Sequence, residues 1–304
     1  MDLLRSLHKP EYLFRPYQIL RRLSREMMKA PEFADVMLPW GMSIRVRPNE
    51  TIGSCIWRVG IYDLCVSECL WRLLDEGETA LDVGANIGHM PALMAKRLGS
   101  HGKVIALEPH PKIYEELKRN MFRWQGMAGL AKLDIIETAA SRKSGSASLH
   151  MPLLFESNRG TASLEDNPEP ELQSYEVTLS RLDEIVPAGT MIGVMKLDVE
   201  GHELAVLEGG KCLIERNEVR DIVFEEHDIP PTPVTQYLER RGFSIFRLDI
   251  GVFGPKAVSL LSPCVKNSKN APNFLATIAP ERALERLRRV GWRVLGNQSK
   301  FTSS

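Results

Sequence analysis

Several familiar features are missing from this sequence, and each gap removes a class of protein. The cysteines are few and odd in number, with no CxxC pair among Cys55, Cys65, Cys69, Cys212 and Cys264. Neither a disulfide framework nor a zinc knuckle is indicated, and reduced thiols are expected. Net charge is missing too: Lys+Arg and Asp+Glu both total 39, so the global field of a dedicated nucleic-acid binder is not there and no nucleic-acid partner is expected. No apolar run reaches the ~18 residues of a membrane span, and the opening MDLLRSLHKPEYLFRP interrupts any signal-like stretch with charges and a proline. The expectation is a cytoplasmic chain, neither exported nor membrane-spanning. Finally, there is no GxGxxG and no GxxxxGK[ST], which disfavours a dinucleotide or a nucleoside triphosphate.

What is present is the composition of a large folded domain, 43% apolar and 26% charged over 304 residues, enough for one large α/β unit plus a small accessory element. Short β-rich runs alternate with helical ones. TALDVGA, KVIALEP, DIIETAA, IGVMKLDV and DIVFEEH read as strands, with helices such as PKIYEELKRNMFRW and ELAVLEGGKCLIERN between them, and FSIFRLD and NFLATIA complete the series. This rhythm predicts a parallel sheet covered by helices on both faces. Met151 to Gln173 reads as a long surface loop over the carboxyl edge, either a lid, a substrate contact or a plain insertion. Both ends are basic and amphipathic: Leu20, Leu23 and Met27 recur at helical spacing near the start, and Leu284, Leu287, Val290 and Val294 form a stripe among arginines near the end. Such ends are read first as faces packed on their own domain, with weak peripheral membrane contact as the alternative. The expected division is 1–59, a basic helical extension and lead-in; 60–280, the main domain; and 281–304, a basic amphipathic helix and tail.

Chemistry concentrates at strand ends. In ALDVGANIG the strand ends at Asp82 and the chain turns through Gly84, Asn86 and Gly88 into a helix, a turn that lets a ligand approach backbone and unpaired N–H groups. Glu108 ends the next strand about 20 residues on, the offset at which α/β nucleotide sites place an acid for ribose hydroxyls. A nucleoside without phosphates suits this loop. In MKLDVEGHELAVLEGG, Lys196, Asp198, Glu200, His202 and Glu203 crowd the end of the fourth strand, and Glu225, Glu226 and His227 end the fifth. The plain alternative is that Lys196 and Asp198 pair with neighbours while Glu200 and Glu203 favour a helix N-terminus.

DVGANIG, EPHP, TAAS followed by Gly145, LDEI, KLDVEGHELAVLEGG, FEEH and NFLATI occur in an order that resembles the FkbM-type S-adenosylmethionine-dependent methyltransferases, from about Gly60 to Ala279, roughly two thirds of the chain. The resemblance implies a Rossmann-like seven-stranded methyltransferase sheet, mostly parallel with the last strand antiparallel, and methyl transfer to a hydroxyl of a sugar, glycan or natural product. It also implies that Asp82, Gly84, Asn86 and Gly88 line the methionine side of the cofactor, that Glu108 holds its ribose and that Ala139 and Ala140 lie near its adenine. Asp198, with His202 or His227, is the candidate set that orients the acceptor and takes its proton. Mg²⁺ could be held by Asp198 with Glu225 or Glu226, but metal independence is the preferred expectation. A non-catalytic cofactor-binding or scaffolding relative and a Rossmann oxidoreductase are the alternatives.

Overall fold

The computed structural model describes Pro10 and residues 17–152, 155, 157–164, 171–228, 230–260 and 273–296. Of the predicted N-terminal helices, one is seen, α1 (Tyr17–Glu26), and the rest lies outside the described residues. The lead-in is not helical throughout. It folds into a short hairpin, β1 (Ala34–Met37) with β2 (Ser43–Val46), followed by α2 (Thr51–Val59), which is capped by the Glu50 carboxylate accepting from the Ile52 and Gly53 N–H groups.

From there the alternation runs as expected: α3 (Leu64–Leu73), β3 (Thr79–Val83), α4 (His89–Leu98), β4 (Lys103–Leu107), α5 (Pro111–Trp124) and β5 (Lys132–Ile136). A second sheet interrupts it, with β6 (Ala139–Ala140), β7 (Gly145–Pro152) and β8 (Glu171–Ser180). The core then resumes through α6 (Leu182–Ile185), β9 (Ile192–Leu197), α7 (Glu203–Gly209), α8 (Lys211–Glu215) and β10 (Val219–Glu225). It closes with α9 (Pro233–Glu239), β11 (Ser244–Gly251), β12 (Gly254–Ser259), β13 (Asn273–Thr277) and α10 (Pro280–Leu287).

The main sheet has the order β12-β11-β13-β10-β9-β3-β4-β5. The strands from β5 to β10 in that order are mutually parallel, and β13 inserts antiparallel between β10 and β11. This is the expected Rossmann-like architecture with one correction: the sheet has eight strands, because β12 folds back on β11 as an antiparallel edge. Gly254 and Pro255 hide that strand in the sequence, and an edge is the place where a sheet tolerates them.

Alternate residues of the central strands feed two cores. Ala80, Val104, Val194 and Val223 face α3 and α4 on one side, while Leu81, Ile105, Met195 and Ile222 face α7, α8 and α9 on the other, the period of two that a buried strand requires. The expected loop from Met151 to Gln173 is also shorter than read, since β7 and β8 pair from Gly145↔Leu179 to Pro152↔Glu171. Nor do the C-terminal arginines all face solvent. Arg282 and Arg286 bond Asp75 at 2.7 and 2.8 Å, and Arg282 also reaches the buried Asp221 at 3.0 Å. Among the described residues no helix is long and apolar enough to cross a membrane.

Candidate functional site

After β3 the chain moves outward to β4 and β5, then crosses back to β9 on the other side of β3. The order reverses between β3 and β9, and their carboxyl ends diverge into the crevice where doubly wound sheets bind ligands. A cavity of about 350 Å³ lies there, within the range of small-molecule sites.

The turn after β3 forms its floor. Gly84 (φ +86°) and Asn86 (φ +49°) adopt left-handed backbone, and Asn86 Oδ1 accepts from Ile87 N–H at 2.8 Å. The space above Gly84 is filled by the protein: a Cβ there would lie 2.0 Å from the Asp198 carbonyl oxygen. At Gly88 (φ +97°) a Cβ would lie 2.8 Å from Leu117. These glycines therefore serve the joining of β3 to β9 and of α4 to α5, a different reason from ligand approach. Gly84 and Asn86 line the cavity, whereas Gly88 and Asp82 lie behind its wall.

Asp82 is fully buried, and among the described residues neither of its oxygens has a partner that meets hydrogen-bond geometry. The Lys196 ammonium stands 3.5 Å from Asp82, 3.1 Å from Asp198 Oδ2 and 3.3 Å from the Gly84 carbonyl, to which it donates. Burial pushes Asp82 up to about 6, against the pull of Lys196. Burial opposes the charge on Lys196 as well, but Asp198 and Asp82 outweigh it and raise its pKa. The plain reading of this lysine and aspartate as paired neighbours is therefore correct, and the pairing lies at the cavity.

Glu108, at the end of β4, is buried on the cavity wall. Its Oε2 accepts from Asn86 N–H and its Oε1 from His110 N–H, both at 2.9 Å. Burial raises its pKa to about 7 despite those two donors. Each oxygen keeps further acceptor capacity. Beside it Ala139, Ala140, Ile113 and Leu149 make an apolar slot.

The other end of the cavity is acidic. Asp63, Asp198, Glu200 and Glu225 all line it, with Tyr62 and Asn273. Asp63 caps α3 by accepting from Val66 N–H at 2.9 Å and takes the Asn273 side-chain amide at 3.1 Å. Glu225 is pushed up to about 7, first by burial and then by the charges of Asp198 and Glu200. His227 is 57% exposed on its side chain and stands 3.6 Å from Glu200. His202 lines the cavity and meets Ser141 Oγ at 2.9 Å, tying the start of α7 to the end of β6.

Sequence reasoning missed two groups. Tyr62 and Asp63 arrive from the turn before α3, where Asp63 reads only as a helix cap. Residues 158–164 arrive from the expected loop, with Asn158, Arg159, Gly160 and Thr161 on the cavity wall. Thr51 Oγ1 donates to Ser157 O, Arg159 bonds Glu116 at 2.7 Å, and Ser163 Oγ donates to Glu200 O at 3.0 Å. No motif marks this segment.

S-adenosylmethionine fits these residues: an apolar slot for a base, a buried carboxylate with spare acceptors for two ribose hydroxyls, and the Asp198 carboxylate on the cavity wall for a cationic end, with Asp82 behind the wall facing Lys196. The slot includes β6, which follows β5, so Ala139 and Ala140 keep their candidate role beside the adenine.

The family model described as the methyltransferase FkbM domain matches residues 82–245. The hexuronic acid methyltransferase AglP of Haloferax volcanii is 30% identical over 196 residues, which cover 62% of this chain and 74% of that protein. The methyltransferase sdnD of Sordaria araneosa is 28% identical over 221 residues, covering 60% and 79%. Among solved structures, a methyltransferase FkbM from Methylobacillus flagellatus KT superposes with a TM-score of 0.44 at 14% identity, covering 66% of this chain, which spans 44% of that one.

Proposed function

Because the chain belongs to the FkbM methyltransferase family, and so is an enzyme that transfers methyl groups from S-adenosylmethionine, we propose that it methylates a hydroxyl oxygen on an uncharged sugar, glycan or natural product. The oxidoreductase and non-catalytic alternatives fall with that membership. The observation that carries the proposal is the acidic end of the cavity, where Asp63, Asp198, Glu200 and Glu225 converge. An acceptor presenting its own carboxylate there would meet like charge, whereas a hydroxyl gains acceptors for its proton. The relative's action on a hexuronic acid supports a sugar and leaves the acceptor group of this chain to its own residues.

Bound S-adenosylmethionine supplies a methyl group on a cationic sulfur, a good leaving group. The chain's task is to hold the hydroxyl in line and remove its proton, which a well-placed base accelerates by ~10²–10⁴-fold. Asp198 is held by Lys196 at 3.1 Å, which fixes its direction. Glu225 is the complementary group: among the described residues it forms no ion pair, and its pKa is raised to about 7, where a general base works best. In this reading Asp198 orients the hydroxyl and Glu225 receives the proton. His227, facing Glu200, remains an outer relay, and His202, bonded to Ser141, supports the wall.

The test is a mass-shift screen of cellular glycans and small molecules with S-adenosylmethionine carrying a labelled methyl group. The label is expected on oxygen, and a product labelled on nitrogen or carbon would end the proposal. With the acceptor in hand, Asp198→Asn and Glu225→Gln should each lower turnover by at least ~100-fold. In the wild type at saturating S-adenosylmethionine, kcat/KM for the acceptor should rise with pH through about 7 as Glu225 loses its proton. That limb should vanish in Glu225→Gln, and its persistence there would move the base to Asp198 or His227.

A further inference from the structure

The β11–β12 turn presents Val252 and Phe253 to solvent, 50% and 61% exposed, and Ile250 stands beside them on β11. Val290, just beyond α10, is 80% exposed. One backbone and one side-chain hydrogen bond bring the two segments together: Gly291 N–H donates to Phe253 O at 2.7 Å, and the Trp292 indole Nε1–H donates to Val252 O at 3.0 Å. Beneath them Trp292, Val294 and Leu295 are buried. The apolar tip is thus the outer end of a packed unit, held from below.

The same tip is ringed by cations. Lys256, on β12, and Arg288, Arg289 and Arg293, around the end of α10, are all exposed. Among the described residues, the Arg289 guanidinium pairs with the exposed Glu285 alone, at 3.5 Å, and the other three have no ion pair. Partial burial and the neighbouring Arg289 and Arg72, opposed by Glu68, hold Arg293 below its ordinary pKa.

We propose that this tip docks on an anionic lipid bilayer, with Val252, Phe253 and Val290 entering the interfacial layer and Lys256, Arg288 and Arg293 meeting lipid phosphates. Apolar side chains ringed by cations are the combination that an anionic membrane surface satisfies in both parts. A second copy is a poorer occupant, because a twofold contact would set these arginines against their own images. A nucleic acid would match the cations and leave Phe253 and Val290 uncovered. The surface is separate from the cavity, so the proposal stands apart from the choice of acceptor.

Sedimentation of the full chain with vesicles tests it, using phosphatidylcholine alone and an equal mixture of phosphatidylcholine and phosphatidylglycerol. Binding is expected to the mixture, weakly to phosphatidylcholine, and to decline with added salt. Val252→Ser combined with Phe253→Ser should weaken partitioning about 100-fold. Lys256→Gln combined with Arg288→Gln should weaken it about 25-fold, each cation near the surface being worth about fivefold. Both variants should keep the wild-type thermal transition and S-adenosylhomocysteine affinity. The proposal is overturned by failure of the wild type to bind mixed vesicles, by undiminished binding of either double variant, or by equal binding to both vesicle types. It is also overturned by a concentration-dependent dimer that the serine variant abolishes while vesicle binding stays nil, which would assign the tip to a second copy.

Discussion

Glu108 has both carboxylate oxygens engaged by the protein's own backbone, at Asn86 and His110, so its replacement by alanine would disturb the β3–α4 turn as well as any ribose contact. Glu108→Gln is the cleaner probe, because it keeps one acceptor and removes the charge. It should lower affinity for S-adenosylhomocysteine by about 1.5–3 kcal/mol by calorimetry, and an unchanged affinity would remove the ribose role. The pH dependence follows from the raised pKa. In the free protein the buried carboxylate prefers its proton, so its contribution to stability is present below the ordinary glutamate value and is lost as pH rises through about 7. Cofactor binding acts in the opposite sense, since two hydroxyls donate to the ionised form. Affinity should therefore fall about fourfold from about pH 8 to about pH 6.5 in the wild type and stay level in Glu108→Gln. A level wild-type profile would show that Glu108 does not change protonation on binding.

Loops make the site, and elements decide where the loops begin. Gly84→Ala would place a Cβ 2.0 Å from the Asp198 carbonyl in left-handed backbone, whereas Gly41, also left-handed at φ +85°, has nothing within 4 Å of its Cβ position. Urea unfolding should therefore show at least ~3 kcal/mol lost for Gly84→Ala against ~1 kcal/mol for Gly41→Ala. Equal losses would mean that the β3–β9 junction yields at little cost. The same glycine shows how much was legible in the sequence. DVGANIG and KLDVEG point to one crevice, and they do meet there, where the missing side chain of Gly84 leaves room for the Asp198 carbonyl. Buried strands such as IGVMKL read plainly because every residue is buried. The β7–β8 pairing and edge strand β12 did not, since their ladders join segments whose own composition is that of loops. Tyr62, Asp63 and Arg159 were illegible for a related reason: tertiary folding alone carries them to the cavity.

At the scale of the whole molecule, one buried ion pair joins the C-terminal segment to the sheet domain. Arg72 and Glu68 meet at 2.6 Å on α3, both essentially inaccessible. Arg72 donates to the carbonyls of Leu287, Arg289 and Gly291, and Glu68 accepts from the N–H groups of Arg293 and Val294. The pair therefore supplies acceptors and donors to a chain segment whose own backbone groups are left over where α10 ends. Arg72→Met should cost ~3–5 kcal/mol, because it leaves a buried carboxylate and several carbonyls without partners. A buried pair of ordinary kind is often replaceable by apolar residues without loss, and that sets up the discriminating experiment. If the role is to satisfy backbone, Glu68→Leu combined with Arg72→Met should recover little of the stability lost in Arg72→Met, since the carbonyls and N–H groups remain buried and unmet. Recovery to near the wild-type urea midpoint would show instead that the two charges serve only each other.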